Sequence, residues 1–248
     1  MKRIIRKSKY DFVMYFVCAS LVLFIFSLAF SKNMINTSDW NVNSVSASTD
    51  TVKKSVTVIL DAGHGGEDAG AVSEDGILEK ELNLLMCEQI RDILKVHNID
   101  VVLTREEDKL LYTEQQNIKG QRKIYDLKNR YLIASEYENA VFVSVHMNKF
   151  PESQYKGLQV YYSPNDECSK ELAYSIQSSV VSQLQTDKNR KIKKATSSIY
   201  LLDRLKCPAV LVECGFLSNA DDCKNLTDEE YRTKLCWLIC SAIIENIS

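Results

Sequence analysis

The chain has 248 residues, of which 45% are hydrophobic and 26% charged, which is typical of one α/β domain carrying an additional segment. Its formal net charge of −2 excludes the strongly basic surface on which nucleic-acid binding depends, so no nucleic-acid partner is expected. The charge is unevenly distributed, because residues 1–31 hold five basic side chains and only one acidic side chain.

The basic N-terminus is followed by residues 12–30, a stretch of nineteen positions without a charged side chain. This is close to the ~20 residues of a membrane-spanning helix and longer than the roughly 7–15 of a signal-peptide core. Positive charge before the span predicts a cytoplasmic N-terminus and an exported remainder. A cleaved signal peptide is the alternative, since Ser27 and Ala29 are small residues at suitable positions. Residues 1–31 are therefore interpreted as a membrane anchor or signal segment.

Residues 32–54 are rich in Ser, Thr and Asn and show neither helical nor strand periodicity. This composition predicts a flexible linker. Residues 55–248 contain no internal repeat and are interpreted as one domain.

The exported part contains seven cysteines and no C-x-x-C pair. Disulfides or metal thiolates are one interpretation, and small buried side chains are the other. We favour burial, because a domain of this size builds a core without cross-links and an odd number of thiols cannot pair completely.

The domain alternates strands and helices in its hydrophobic pattern. Strands are predicted at 55–60, 100–104, 140–145, 157–163 and 208–213. Helices are predicted at 79–97, 118–137, 166–185 and 228–247. The alternation predicts a single α/β domain, with a mostly parallel or mixed twisted sheet flanked by helices on both faces.

Polar residues stand where three of these strands end. His64 comes just past the first strand, His146 follows the strand at 140–145, and Glu213 ends the strand at 208–213. Glu79 begins the first long helix. Sites in open α/β sheets form outside the carboxyl ends of the strands, so these four side chains can converge. Two imidazoles and one carboxylate are a ligand set of catalytic zinc, and a remaining carboxylate can take a proton from water.

Each of these residues also has a structural interpretation. A histidine after a strand can be a satisfied structural residue, Glu79 can stabilise a helix N-terminus, and Glu213 can form a surface ion pair. The glycine-rich loop around His64, "DAGHGGEDAG", resembles a phosphate-binding loop in composition, but it lacks the G-x-x-x-x-G-K-[ST] and G-x-G-x-x-G patterns.

Five segments together identify a resemblance: "VILDAGHGGEDAGA", "EKELNL", "DVVLTREED", "VFVSVHMN" and "CPAVLVECGFLSN". In this order they resemble the zinc-dependent N-acetylmuramoyl-L-alanine amidases of the amidase 3 family, over nearly all of 55–248. The resemblance implies that His64, Glu79 and His146 bind Zn²⁺ and that Glu213 is catalytic. It also implies hydrolysis of the amide that joins N-acetylmuramic acid to the first L-Ala of the peptidoglycan stem peptide. The glycines would then bring His64 to the metal and leave room for a bulky substrate.

The short, repeat-free architecture resembles the amidases of sporulation and germination, which act on the spore cortex before muramic-δ-lactam forms. Only about ten residues separate His146 from the next strand, so the regulatory insertion of many relatives is not expected. Without that insertion, an activating partner protein is one possible control.

Three alternatives remain at this point. They are a vegetative cell-wall amidase, a non-catalytic peptidoglycan-binding relative, and a zinc peptidase that cuts within the stem peptide. Arg105 and Arg130 are candidates for binding substrate carboxylates, a role that the sequence leaves open.

Overall fold

The computed structural model describes residues 55–187 and 190–247. The predicted anchor at 1–31 and the predicted linker at 32–54 lie outside these ranges and stay predictions. Within the described ranges, no helix combines the length and apolar composition needed to cross a bilayer.

Six strands form one mixed sheet. Their bounds are β1 Thr57–Ala62, β2 Asp100–Leu103, β3 Ala140–Asn148, β4 Gln159–Tyr162, β5 Lys193–Lys194 and β6 Ala209–Phe216. The spatial order is β2-β1-β3-β6-β4-β5. All neighbouring pairs are parallel except β4 and β6, which are antiparallel. The predicted α/β class and the mostly parallel, mixed sheet are confirmed.

Six α-helices accompany the sheet in the described ranges. They are α1 Glu79–Val96, α2 Arg122–Ser135, α3 Cys168–Gln183, α4 Tyr200–Arg204, α5 Ala220–Thr227 and α6 Glu229–Ile247, with a short 3₁₀ turn at Glu114–Gln116. The sequence pattern predicts α1, α2, α3 and α6 but misses α4, α5 and β5.

Both faces of the sheet are covered by apolar contacts. On one face, Val58, Leu60 and Val143 pack in a cluster with residues of α1, α3 and α6. On the other face, Ile59 and Phe142 pack with residues of α2 and α4. The strands are apolar on successive residues because both of their faces are buried. This burial fixes the positions of the carboxyl ends of β1, β3 and β6 at one edge of the sheet.

The seven cysteines in the described ranges are all unpaired. Five of them, including Cys236 and Cys240, are buried. The prediction of small buried side chains is confirmed for these five, whereas Cys168 is exposed.

Candidate active site

The loop after β1 turns sharply at His64. This residue has φ of 63°, one of only two positive values outside glycine in the described ranges. The left-handed conformation costs a residue with a Cβ about 1–2 kcal/mol, so surrounding contacts must hold it.

Two glycines leave space for the side chains of the site. A Cβ on Gly63 would lie 2.2 Å from Cε1 of His146. A Cβ on Gly70 would lie 2.5 Å from Oε2 of Glu79 and 2.8 Å from Cδ2 of His64. The glycines are expected to leave room for a bulky substrate. At Gly63 and Gly70 the space is instead occupied by the side chains of His146, Glu79 and His64.

Glu79 is the first residue of α1 and only 3% exposed. Its Oε2 accepts a hydrogen bond from the Ala71 N–H at 2.7 Å. Its Oε1 accepts from the Met147 N–H at 3.0 Å and from Nδ2 of Asn83 at 3.3 Å. These donors come from three separate segments, so the carboxylate is fixed in position and stabilised in its charged form.

Oε1 of Glu79 faces both imidazoles. It lies 2.9 Å from Nδ1 of His146 and 3.3 Å from Nε2 of His64. One ligand atom from each of the three residues lies within 4.8 Å of the others. Two imidazole nitrogens and a carboxylate oxygen match the donor set of a catalytic zinc site, so the residues present fit the metal.

The charges around His64 are strongly coupled. Burial lowers the pKa of His64, but the carboxylates of Asp68 and Glu79 outweigh this and raise the pKa to about 9. Nδ1 of His64 lies 2.9 Å from Oδ2 of Asp68, although the approach falls outside hydrogen-bond geometry. Burial raises the pKa of Glu79, and the two histidines reverse this and lower it below its usual range. The metal-free site therefore places negative charge beside the His64 imidazole and favours its protonated form, and a bound metal cation would displace that proton.

Glu213 lies beside His146 on the neighbouring strand. The two residues are direct partners in the β3–β6 pairing, and the register shifts just after them. Both strands run on past the predicted ends, to Asn148 and Phe216, so His146 and Glu213 lie within strands rather than at their ends.

The carboxylate of Glu213 has an environment unlike that of Glu79. Its Oε2 is buried and makes no hydrogen bond. Burial, with a contribution from the charge of Glu79, raises the pKa of Glu213 to about 7, although the histidines act in the opposite direction. A carboxyl group with a pKa near neutrality is suited to accepting and returning a proton.

A cavity opens beside these residues. Its volume is about 430 Å³, and its lining includes His146, Glu213, Tyr161 and Tyr200. Because His146 and Glu213 line the same cavity, a molecule bound in it would contact one imidazole of the cluster and the Glu213 carboxyl group together.

The sequence model of the N-acetylmuramoyl-L-alanine amidases, known as amidase 3, matches residues 58–245. The chain belongs to this family. The chain is therefore an N-acetylmuramoyl-L-alanine amidase. The match includes the segments that carry His64, Glu79, His146 and Glu213.

Solved and curated relatives agree with this assignment. The CwlD amidase from Clostridioides difficile, determined in complex with the GerS lipoprotein, is 41% identical with a TM-score of 0.73, covering 77% of this chain and 98% of that chain. The germination-specific N-acetylmuramoyl-L-alanine amidase of Bacillus subtilis is 31% identical over 224 residues, which are 90% of this chain and 89% of the relative. The catalytic domain of CwlV from Bacillus (Paenibacillus) polymyxa is 30% identical, with a TM-score of 0.65 over 78% of this chain and 99% of that chain.

Sequence reasoning misses several residues that support the site. Asn83 is one helical turn after Glu79, a spacing that could have indicated contact. Asp68 lies in the glycine loop without a distinctive pattern. Arg105 and Arg130, whose role the sequence leaves open, are buried and donate to backbone carbonyls, so neither guanidinium is exposed to a substrate carboxylate.

Proposed function

We propose that this amidase holds Zn²⁺ through His64, Glu79 and His146 and uses Glu213 as its general base and acid. The observation that carries the proposal is the pairing of a compact His–Glu–His cluster with a carboxylate on the adjacent strand, one oxygen of which is buried and makes no hydrogen bond. Zinc, when bound, supplies Lewis-acid activation of the amide carbonyl and of water.

The protein's own contribution is proton transfer and positioning. Glu213 accepts a proton from the attacking water and returns one to the departing amine of L-Ala as the amide bond breaks. Its raised pKa favours both steps near neutral pH. The two histidines outweigh the effect of burial and lower the pKa of Glu79, so it stays ionised, and its oxygens also accept hydrogen bonds from two backbone N–H groups and Asn83. The substrate is the amide between N-acetylmuramic acid and L-Ala in peptidoglycan.

The test is product analysis with purified peptidoglycan. The purified full-length chain is incubated with zinc, and newly freed N-terminal alanine is quantified against a chelator-treated sample. We expect alanine release that stops on chelation and resumes when zinc is restored. Release of a different N-terminal residue would indicate a peptidase cutting within the stem peptide. Binding to the wall without any release would indicate a non-catalytic relative.

We infer a role in the spore cortex, where removal of stem peptides precedes muramic-δ-lactam formation. Support comes from two of the relatives, a germination-specific amidase and the CwlD amidase. We expect deletion of the gene to leave vegetative walls unchanged and to remove muramic-δ-lactam from spores. Expression confined to vegetative growth would contradict this role and favour a vegetative wall amidase.

We infer that the domain acts outside the cytoplasm, tethered by residues 1–31. Relatives named as cell-wall amidases support the location, and the charge pattern of the sequence supports the tether. Fractionation with N-terminal sequencing tests this, since an intact N-terminus in the membrane fraction is expected. A soluble product that begins just after Ala29 would indicate a cleaved signal peptide instead.

We infer control by a partner protein. Only residues 149–158 connect β3 to β4, and this connection contains no helix that could cover the site. The CwlD amidase was determined with the GerS lipoprotein, which supports a partner for this chain. Full activity of the purified chain with zinc alone would contradict the need for one.

A further inference from the structure

Two buried arginines surround the backbone of the loop that carries His64. Arg105 is 2% exposed and Arg130 is 1% exposed. Neither residue lines the cavity beside Glu213, so neither guanidinium can meet a substrate there. Their role must lie in what they contact within the protein.

Arg105 follows β2 and links the loop to α1. Its Nε donates to the Ala62 carbonyl at 2.9 Å, and its Nη2 donates to the Gly63 carbonyl at 3.1 Å. Nη2 also donates to the Lys80 carbonyl at 2.8 Å, next to Glu79 in the first turn of α1. One guanidinium therefore fixes the distance between the segments that carry two of the three proposed zinc ligands.

Arg130 reaches the same loop from α2. Its Nη1 donates to the Ala62 carbonyl at 2.7 Å, and its Nη2 donates to the His64 carbonyl at 2.6 Å. Two carboxylates orient this side chain: Asp61, 2.7 Å from Nη1, and Asp126, 2.8 Å from Nε. The two carboxylates therefore fix the orientation of the guanidinium that bonds to the loop.

The three successive carbonyls of residues 62–64 all accept from these arginines, and the carbonyl of Gly63 also accepts from Asn83 at 3.0 Å. Fixing the carbonyls fixes the peptide planes on both sides of His64, where φ is 63°. Two buried positive charges near a cation site oppose metal binding electrostatically. Any gain in metal affinity from the arginines must therefore come through geometry.

We propose that Arg105 and Arg130 are positioning residues that hold His64 in its strained conformation and so set the zinc affinity of the site. The inference rests on the proposed zinc site. A lysine keeps the charge at either position but lacks the planar fork that bonds two carbonyls at once.

The test measures zinc affinity in the purified full-length chain by competition with a chromophoric chelator. R105K and R130K are compared with R232K, a matched control. Arg232 is also buried at 7% exposure and also donates to two backbone carbonyls, those of Leu226 and Thr227, but contacts none of the site residues. Thermal unfolding of the zinc-free proteins separates loss of stability from loss of affinity. The visible spectrum of the cobalt-substituted proteins reports ligand geometry directly.

R105K and R130K are expected to weaken zinc binding by at least about tenfold and to change the cobalt spectrum, as loss of an outer-shell partner does. R232K is expected to lower the unfolding temperature and leave both metal readouts as in the wild type. Wild-type zinc affinity in a folded R105K, or an equal loss in R232K, would overturn the proposal. If R130K does not fold, R105K decides alone. H64A tests the underlying site separately: undiminished zinc binding in H64A would overturn the proposed zinc site itself.

Discussion

Two glutamates have contrasting environments: Glu79 belongs to the cluster with His64 and His146, and Glu213 lies beside His146 on the adjacent strand. Glu79 accepts hydrogen bonds at both oxygens and faces two imidazoles, so it is stabilised as an anion. Glu213 has a buried oxygen without a partner, and its pKa is raised to about 7. The backbone N–H groups of Ala71 and Met147 and the side chain of Asn83 surround the first carboxylate with donors. The strand that carries Glu213 provides none for the buried oxygen of that residue.

The contrast supports the roles proposed for the two residues. A carboxylate whose charged form is fully bonded is suited to holding a cation, and one whose charged form is desolvated is suited to proton transfer. Environment therefore separates the roles of two residues that are identical in the sequence.

The largest effect is expected on the Glu213 side. Glu213→Gln keeps the shape of the side chain but cannot accept a proton, so alanine release should fall by about 10²–10⁴-fold. Zinc content should stay as in the wild type, because the cluster of His64, Glu79 and His146 is untouched. Activity within a few-fold of the wild type would remove Glu213 from the proposed role. Glu81→Gln, at an exposed position of α1, is the matched control.

On the Glu79 side, the substitution Glu79→Gln should act through metal binding. The glutamine side chain carries no negative charge. Its amide nitrogen would also take the place of one of the two carboxylate oxygens and could not accept the hydrogen bond from the Ala71 or Met147 N–H group that this oxygen accepts in the wild type. We expect zinc affinity to weaken by more than the roughly 10–100-fold that loss of an outer-shell partner costs. Chelator competition measures this directly. An active Glu79→Gln enzyme with wild-type zinc affinity would mean that the two glutamates are not divided as inferred.

Asp61 extends the comparison to a carboxylate that is wholly structural. Burial raises its pKa, and Arg130 with the hydroxyls of Ser144 and Thr104 outweighs this, so the pKa is lowered from 3.8. Because the pKa of Asp61 is lower in the folded than in the unfolded state, its carboxylate adds to the free energy of unfolding at pH values above the unfolded-state pKa. This contribution is lost as the pH falls through the folded-state pKa. Asp61→Asn breaks a buried ion pair and should cost about 3–5 kcal/mol at pH 7. Urea unfolding measures this loss, and the difference from the wild type should shrink below about pH 4. A difference that stays constant down to pH 2 would contradict this linkage.

The sequence predicts five of the six strands and the four candidate site residues because their signals are local or directional. Runs of buried β-branched residues define β1, β3 and β6, and parallel strands carry their following residues to one edge. The antiparallel pairing of β4 with β6 is not predictable in the same way, because no residue pattern in β4 encodes its direction.

Other features depend on contacts between residues far apart in the chain. Arg105 and Arg130 resemble surface residues in the sequence, and only the folded loop around His64 gives their guanidinium groups carbonyls to bind. The helix α4 has only five residues and β5 only two, so both are too short to show a hydrophobic periodicity in the sequence. By contrast, α5 carries a usable signal, since Asn219 caps it by accepting from the Asp222 N–H.

The smallest predicted effect tests the environment of Glu213 through stability rather than catalysis. Its folded-state pKa of about 7 lies above the 4.5 that is usual for a glutamate, so the unfolded chain releases this proton at lower pH than the folded protein does. Between these two values the zinc-free wild type therefore loses stability as pH rises, and the loss is complete above pH 7. Glu213→Gln lacks this titration and should be more stable than the wild type at pH 8, on the order of 1–2 kcal/mol because the residue is partly exposed. Thermal unfolding in chelator at pH 5 and pH 8 measures the gain, which should be small at pH 5, with the exposed Glu81→Gln as the control. An equal gain in stability at both pH values would mean that Glu213→Gln stabilises the protein through repacking. It would contradict the inference that burying the charge of Glu213 destabilises the wild type.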